Sequence, residues 1–212
     1  MSRYRRLQEL ARPWVAEKYD RPVVRGIFDG TLDPAVMRYW IEQDHLYLLE
    51  YARTFCRVAS HAPDAHLETL VDGAHYTLND ELRLHRGIAE TFDADLSVTT
   101  MGPACQEYCA YLRAESSRFA SGVLAVLPCM MGFAALGLQV SMPDEPRYRR
   151  WVQTYASTEF QGYSTRYAAV VDDIEIGDDD ADRIFNEGMR LELAFWDEAA
   201  QAAADPAERS TR

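Results

Sequence analysis

Lysine is almost absent from this sequence. Of its 22 lysine and arginine residues, Lys18 is the single lysine, while aspartate and glutamate number 34 and give a formal net charge of −12. Carboxylates stay hydrated in concentrated salt, and a strong net charge keeps a protein soluble. We interpret the balance as adaptation to a salt-rich cytoplasm, as in halophilic archaea, with an acidic enzyme from a GC-rich genome as the alternative. A nucleic-acid partner is not expected, because phosphates need a basic surface.

Long hydrophobic runs and a secretory signal are also missing. No stretch of about 18 uninterrupted apolar residues occurs, so no membrane span is expected. The polar start, residues 1–6, has no apolar signal-peptide core and predicts a cytoplasmic protein. With 212 residues, 48% of them hydrophobic, the chain fits one domain with a full core.

Cysteine is sparse, and the spacing of a metal site is lacking. The four cysteines include no CxxC pair, and no further ligands stand at zinc-site spacing. In a cytoplasmic protein they should be reduced thiols, mostly buried as small apolar side chains. This spacing therefore predicts no metal site.

Strand-like alternation is hard to find, whereas helical periodicity runs through nearly the whole chain. Asp33-Pro34 and Gly102-Pro103 are typical helix starts. The pattern predicts an all-α, single-domain bundle over residues 1–212, with a disordered tail from about residue 203. Seven helices are predicted, at about 4–18, 33–60, 64–91, 103–117, 119–140, 145–170 and 179–202.

One predicted helix carries a carboxylate within an aromatic face. Trp40, Asp44, Tyr47 and Tyr51 share that face. A buried carboxylate must be hydrogen-bonded or lose its charge. Asp44 is therefore either a binding group or an aspartate satisfied by a neighbouring arginine or tyrosine.

A second segment, residues 124–137, is apolar on all sides and should form the centre of the bundle. Pro128 removes a backbone donor, which predicts a kink or restart immediately before Cys129. A thiol at a new helix start could have a lowered pKa and act as a nucleophile. The alternative is an inert buried cysteine.

Three further carboxylates are candidate functional residues. Glu192 borders an apolar stripe containing Phe195, so that burial could raise its pKa into the range of a general acid, or it could lie at the surface. Glu81 and His85 are spaced as metal ligands, but a structural hydrogen bond between them is the preferred interpretation. Glu159 follows Tyr155, and either could line a pocket.

In this order the segments resemble the TenA family, also called thiaminase II or aminopyrimidine aminohydrolase. The likeness rests on five segments: Gly26-Ile27-Phe28-Asp29-Gly30-Thr31-Leu32, Tyr39-Trp40-Ile41-Glu42-Gln43-Asp44 with Tyr47-Leu48, Leu127-Pro128-Cys129, Trp151 to Tyr155, and Glu192 with Phe195-Trp196. It implies a haem-oxygenase-like bundle, assembled as a homotetramer and without cofactor, whose partner is a small pyrimidine or thiamin substrate.

The resemblance also implies roles for individual residues. Cys129 would add to the pyrimidine ring as the nucleophile, and Glu192 would transfer protons for addition and departure. Asp44 would bind the ring nitrogen and the exocyclic amine, while Tyr47 and Tyr155 would stack against the ring. The product would be hydroxymethyl-pyrimidine, released from an aminomethyl-pyrimidine or from thiamin.

Phe195 is also expected to contact the substrate. Two positions depart from the family pattern. Phe133 stands where the family commonly has tyrosine, and an ungapped reading puts Gln106 at another tyrosine position, although Tyr108 or Tyr111 could substitute. Two other functions stay open: a haem-oxygenase-like di-iron oxidase, and a non-catalytic pyrimidine-binding protein on the same fold.

Overall fold

The computed structural model describes residues 1–139 and 142–204 and confirms the all-α fold. Within these ranges it has no strand, and it contains ten α-helices and one π-helical segment. The helices are α1 (Arg3–Asp20), α2 (Pro22–Phe28), α3 (Pro34–Ala59), α4 (Asp64–Tyr76), α5 (Leu82–Phe92), α6 (Pro103–Glu115), α7 (Phe119–Gln139), α8 (Pro146–Tyr155), α9 (Thr158–Asp173) and α10 (Asp178–Ala204). Helix α10 includes residues 203 and 204, which were predicted to belong to a disordered tail. The remainder of that predicted tail, residues 205–212, lies outside the described ranges.

All seven predicted helical segments are present, and three local features account for the larger number. The short α2 was not predicted as a helix, although Pro22 stands at its first turn, where proline fits. The segment 64–91 is interrupted by the π-helical turn Thr77–Glu81, where the Thr77 hydroxyl donates to the carbonyl of Gly73. The segment 145–170 divides at Ser157, whose side chain accepts from the Phe160 amide and starts α9.

Helix α7 lies at the centre of a single hydrophobic core. In the described part of the chain, its residues 119–138 form the one stretch long and apolar enough to cross a membrane, but 83% of its most apolar part is buried inside the protein. That burial is typical of a core helix. Pro128 lies inside α7, and the helix continues through it, so the predicted restart before Cys129 is wrong. Neighbouring side chains reach carbonyls of this helix: Tyr51 donates to Val126 and Tyr167 donates to Val123.

Close backbone approach fixes the end of α7 against α8. A Cβ at Gly137 would lie 2.2 Å from the carbonyl oxygen of Tyr155 and 2.6 Å from the amide nitrogen of Ala156. Backbone atoms cannot move aside cheaply, so we expect Gly137→Ala to lower the free energy of unfolding by about 1–3 kcal/mol. Urea unfolding followed by circular dichroism measures this.

Gly162→Ala is the matched control, because Gly162 also lies in a helix. A Cβ there would meet only the Arg166 guanidinium, at 3.7 Å, an ordinary contact. The alanine should be neutral or stabilise by up to about 1 kcal/mol through helix propensity. Equal effects of the two substitutions would contradict the close packing of α7 on α8.

Candidate active site

A buried cavity lies where α3, α6, α7 and α10 meet. Every residue around it is less than 9% exposed. Six of the nine are aromatic, and the other three are two carboxylates and a thiol. The lining comprises Trp40, Asp44, Tyr47, Tyr108, Cys129, Phe133, Glu192, Phe195 and Trp196. The cavity volume is about 10 Å³, about the space of one water molecule.

Helix α3 places Asp44 and Tyr47 in this cavity by its regular periodicity. Trp40, one turn earlier, stacks on Trp196 of α10 with ring centroids 4.8 Å apart and planes at 8°. This stacking fixes α3 against α10 beside the cavity. His85 of α5 reaches Asp44 from outside the cavity, with Nε2 2.9 Å from Oδ2. Among the described residues, the ion-pair partner of Asp44 is therefore this histidine, at a close distance without hydrogen-bond geometry, and neither an arginine nor a tyrosine.

Helices α7 and α10 pack closely against each other beside Cys129. A Cβ at Gly188 would lie 2.5 Å from Cγ of Pro128, so the absence of a side chain there lets the helices meet. Pro128 precedes Cys129, and Glu192 follows Gly188 by one turn of α10. This contact therefore brings the thiol and the glutamate to the same cavity.

The Cys129 thiol lies in an acidic, desolvated environment. Burial raises its pKa well above the ordinary value, and the nearby Glu192, Glu81 and Asp44 raise it further, while the Tyr47 hydroxyl lowers it. The sequence-based expectation of a lowered pKa is therefore wrong. It assumed a new helix N-terminus after Pro128, and the continuous helix provides none. Without substrate, the sulfur holds its proton.

Glu192 is buried and paired with a residue that sequence analysis did not place in the site. Lys18 of α1 donates from Nζ to Oε1 of Glu192 at 2.6 Å. Burial raises the pKa of Glu192 to about 7, although the charge and the hydrogen bond of Lys18 lower it. Oε2 is buried without a hydrogen-bond partner in the described residues. Such a carboxyl group exchanges a proton near neutral pH, as general acid–base catalysis requires.

A second buried carboxylate lies behind Asp44. Burial raises the pKa of Glu81 to about 7, and Asp44 raises it further, whereas His85 and the Thr77 hydroxyl lower it. The preferred interpretation of a hydrogen bond between Glu81 and His85 is corrected here: in the described residues neither imidazole nitrogen of His85 has a hydrogen-bond partner, and Nε2 lies 2.9 Å from Oδ2 of Asp44. Among the described residues, no group of three or more histidine, cysteine, aspartate or glutamate side chains is arranged to hold a metal ion. The di-iron alternative therefore has no ligand set in that part of the chain.

The structure brings together six of the eight residues that the sequence singled out: Asp44, Tyr47, Cys129, Phe133, Glu192 and Phe195. Tyr155 is buried but one layer further out, packed on Phe133 with ring centroids 4.5 Å apart. Gln106 is exposed and does not line the cavity, a correction to the ungapped reading. Tyr108, two residues on, occupies that side, because the register of α6 turns its ring inward.

Comparison with known proteins identifies the family of the chain. Residues 9–202 match the TENA/THI-4/PQQC family. The chain belongs to this family. An aminopyrimidine aminohydrolase of Halalkalibacterium halodurans is 30% identical over 208 residues, covering 91% of this chain and 93% of the relative.

Solved structures show the same fold at lower identity. A TenA homologue from P. horikoshii OT3 has a TM-score of 0.86 at 22% identity and covers 94% of this chain and 98% of its own. A domain with a haem-oxygenase-like fold from Shewanella denitrificans OS217 has a TM-score of 0.71 at 13% identity, covering 92% and 90%. The expected haem-oxygenase-like bundle is thereby confirmed.

Proposed function

We propose that this protein hydrolyses an aminopyrimidine in thiamin salvage, with Cys129 as nucleophile and Glu192 as proton donor and acceptor. The observation that carries the proposal is the meeting of Cys129, Glu192 and Asp44 in one buried aromatic cavity. The aminopyrimidine aminohydrolase relative, similar along nearly its whole length, supports the substrate class.

The cavity suits a flat, basic heterocycle. Aromatic rings on several sides can stack on a pyrimidine, and Asp44 can accept hydrogen bonds from an exocyclic amine and a protonated ring nitrogen. The hydroxyls of Tyr47 and Tyr108 are buried without a well-formed hydrogen bond in the described residues, so a ligand can form hydrogen bonds with them. Since the cavity has room for only about one water molecule, the aromatic side chains must move apart to admit the ring.

The electrostatics explain how an unreactive thiol becomes a nucleophile. Three carboxylates disfavour the thiolate when the cavity is empty. A substrate protonated on its ring places a positive charge among them, which favours the thiolate. The sulfur then bonds to the ring carbon next to the one that carries the methylene, and the thiol proton passes to a carboxylate. Substrate binding and nucleophile activation are thus one event.

Glu192 then serves both halves of the reaction. It gives a proton to the departing amine as the methylene C–N bond breaks and ammonia leaves. Water adds to the methylene carbon and returns a proton to the Glu192 carboxylate. The C–S bond breaks, the sulfur takes back the proton that the carboxylate received from it, the ring becomes aromatic again, and hydroxymethyl-pyrimidine is released. A carboxyl group with a pKa of about 7 can act in both directions.

The direct test is turnover by the purified chain. Incubation with aminomethyl-aminopyrimidine should release ammonia and hydroxymethyl-pyrimidine in equal amounts, and thiamin should be assayed in parallel. Absence of turnover on both compounds, with tight binding of the pyrimidine, would favour a non-catalytic binding protein on the same fold.

Asp44→Asn tests the binding role of this carboxylate. The amide keeps the shape but loses the charge, and a hydrogen bond to a charged group contributes about 1.5–3 kcal/mol. We therefore expect KM for the aminopyrimidine to rise about 10- to 100-fold. Steady-state kinetics measure this, with Asp173→Asn, at an exposed aspartate beside His66, as the control.

We further propose a homotetramer that works in a salt-rich cytoplasm. Support comes from the net charge of −12, the near-absence of lysine and the family resemblance. Light scattering after size-exclusion chromatography, in dilute and in concentrated salt, tests the assembly and its dependence on salt.

A further inference from the structure

The single lysine of the chain is completely buried beside the candidate active site. Lys18 lies in the last turn of α1 and has 0% exposed surface. A buried ammonium group is costly unless it is paired. Its partner is Glu192, through the hydrogen bond to Oε1, and Nζ also lies 5.1 Å from the centroid of the Phe133 ring. Both contacts are made to residues of the cavity.

A glycine in α7 provides the space for this pair. A Cβ at Gly132 would lie 2.4 Å from Nζ of Lys18 and 2.7 Å from Oε2 of Glu192. Gly132 follows Cys129 by three residues, so the ion pair packs against the helix that carries the thiol. The helix backbone, the ammonium group and the carboxylate are therefore fitted together at one point.

Pairing with Lys18 makes the two carboxylate oxygens unequal. Oε1 accepts the hydrogen bond from Nζ, whereas Oε2 is buried with no partner in the described residues. An unpaired buried carboxylate oxygen carries a desolvation cost that a ligand or a proton relieves. Oε2 is thus the oxygen left for proton transfer.

We propose that Lys18 is a positioning residue of the reaction, which holds Glu192 by Oε1 and keeps Oε2 able both to give and to take a proton. This inference rests on the proposed function for its catalytic meaning. Within the described ranges, the other titratable groups that interact electrostatically with Glu192 are Asp44 of α3, Tyr108 of α6 and Cys129 of α7, none of them cationic. Arg25 of α2 is exposed and paired with Asp20.

The direction of the effect follows from the opposing influences on Glu192. Burial and Asp44 raise its pKa, and Lys18 lowers it. Without the ammonium group, Glu192 would keep its proton to higher pH. It would therefore be a weaker acid toward the departing amine, although the carboxylate left after that transfer could still accept the proton from water.

Lys18→Met keeps the length and apolar stem of the side chain and removes the charge. Infrared absorption of the Glu192 carboxylate, isolated by subtracting the spectrum of Glu192→Gln, gives the midpoint of its ionisation without substrate. For Lys18→Met, the spectrum of the double variant Lys18→Met with Glu192→Gln is subtracted in the same way. The midpoint of the Glu192 ionisation should then be higher than in the wild type by about one pH unit or more. The same ionisation in the pH profile of kcat should rise with it, while KM changes little.

Three further variants complete the test. Arg25→Met removes an exposed cation and should leave the midpoint unchanged. Lys18→Arg keeps the positive charge, so its midpoint should lie close to that of the wild type. If Lys18→Met does not fold, Gly132→Ala separates the pair without removing a charge and should also raise the midpoint.

A folded Lys18→Met with an unchanged midpoint would overturn the proposal and leave Lys18 as a packing residue. Absence of turnover by the wild type would instead contradict the proposed function. The infrared comparison distinguishes the two failures, because it requires no substrate.

Discussion

Cys129→Ala is expected to abolish turnover of the aminopyrimidine, lowering kcat by about a thousandfold or more, while the ligand still binds. Loss of a covalent nucleophile removes the intermediate itself and leaves only the acceleration from binding and proton transfer. Removal of one sulfur from the cavity enlarges it and leaves Asp44 and the aromatic walls in place. Steady-state kinetics measure the loss, and calorimetric titration measures the retained affinity.

Cys109→Ala is the matched control for this substitution. Cys109 is also a free, fully buried cysteine, but it does not line the cavity. Its replacement should affect stability more than kcat. If Cys129→Ala lost less than about tenfold in kcat, water would be attacking the substrate directly and the covalent mechanism would be wrong.

The sequence predicted the main elements of the fold because helical periodicity is a local signal. Spacings of three and four residues identify Trp40, Asp44, Tyr47 and Tyr51 as one face, and all four are buried as expected. Boundaries were less accurate where a single side chain decides them. Ser157 caps the start of α9, and the Thr77 hydroxyl donates to the carbonyl of Gly73 at the π-helical turn. Both interrupt predicted helices whose hydrophobic pattern continues without a break.

Lys18 shows why part of the site could not be predicted. Its spacing from Leu7, Ala11 and Val15 places it on the buried stripe of α1, a signal present in the sequence. Its partner Glu192 lies 174 residues away, and periodicity says nothing about which helices meet. The sequence pattern thus places Lys18 on a buried face, but only the tertiary structure shows that Glu192 is its partner.

The thiol illustrates a related difficulty. The direction in which the pKa of Cys129 shifts depends on its burial and on the carboxylates that other helices place near it. Glu192, Glu81 and Asp44 come from three separate segments of the chain. Pro128 suggested a local helix dipole, but the distant charges and burial determine the result.

Glu192→Gln should lower kcat about 10²- to 10⁴-fold with a small change in KM, since proton transfer to the departing amine contributes by that order. Glutamine keeps the shape of the side chain and can still accept from Lys18, but it has no proton to give to a leaving group. The pH profile of kcat should also lose the ionisation near pH 7 that the wild-type carboxyl group supplies. Glu187→Gln, at a glutamate of the same helix paired with Arg190, is the control.

The same substitution separates acid catalysis from nucleophile strength. Glu192 raises the pKa of Cys129, so its removal should lower the pKa of the thiol. Ultraviolet absorbance of the thiolate, corrected with Cys129→Ala, measures this change. A more acidic thiol in a much slower enzyme would show that the loss comes from proton transfer. Unchanged kcat in Glu192→Gln would instead assign the proton transfer to another group, and Asp44 is the other carboxylate in the described lining of the cavity.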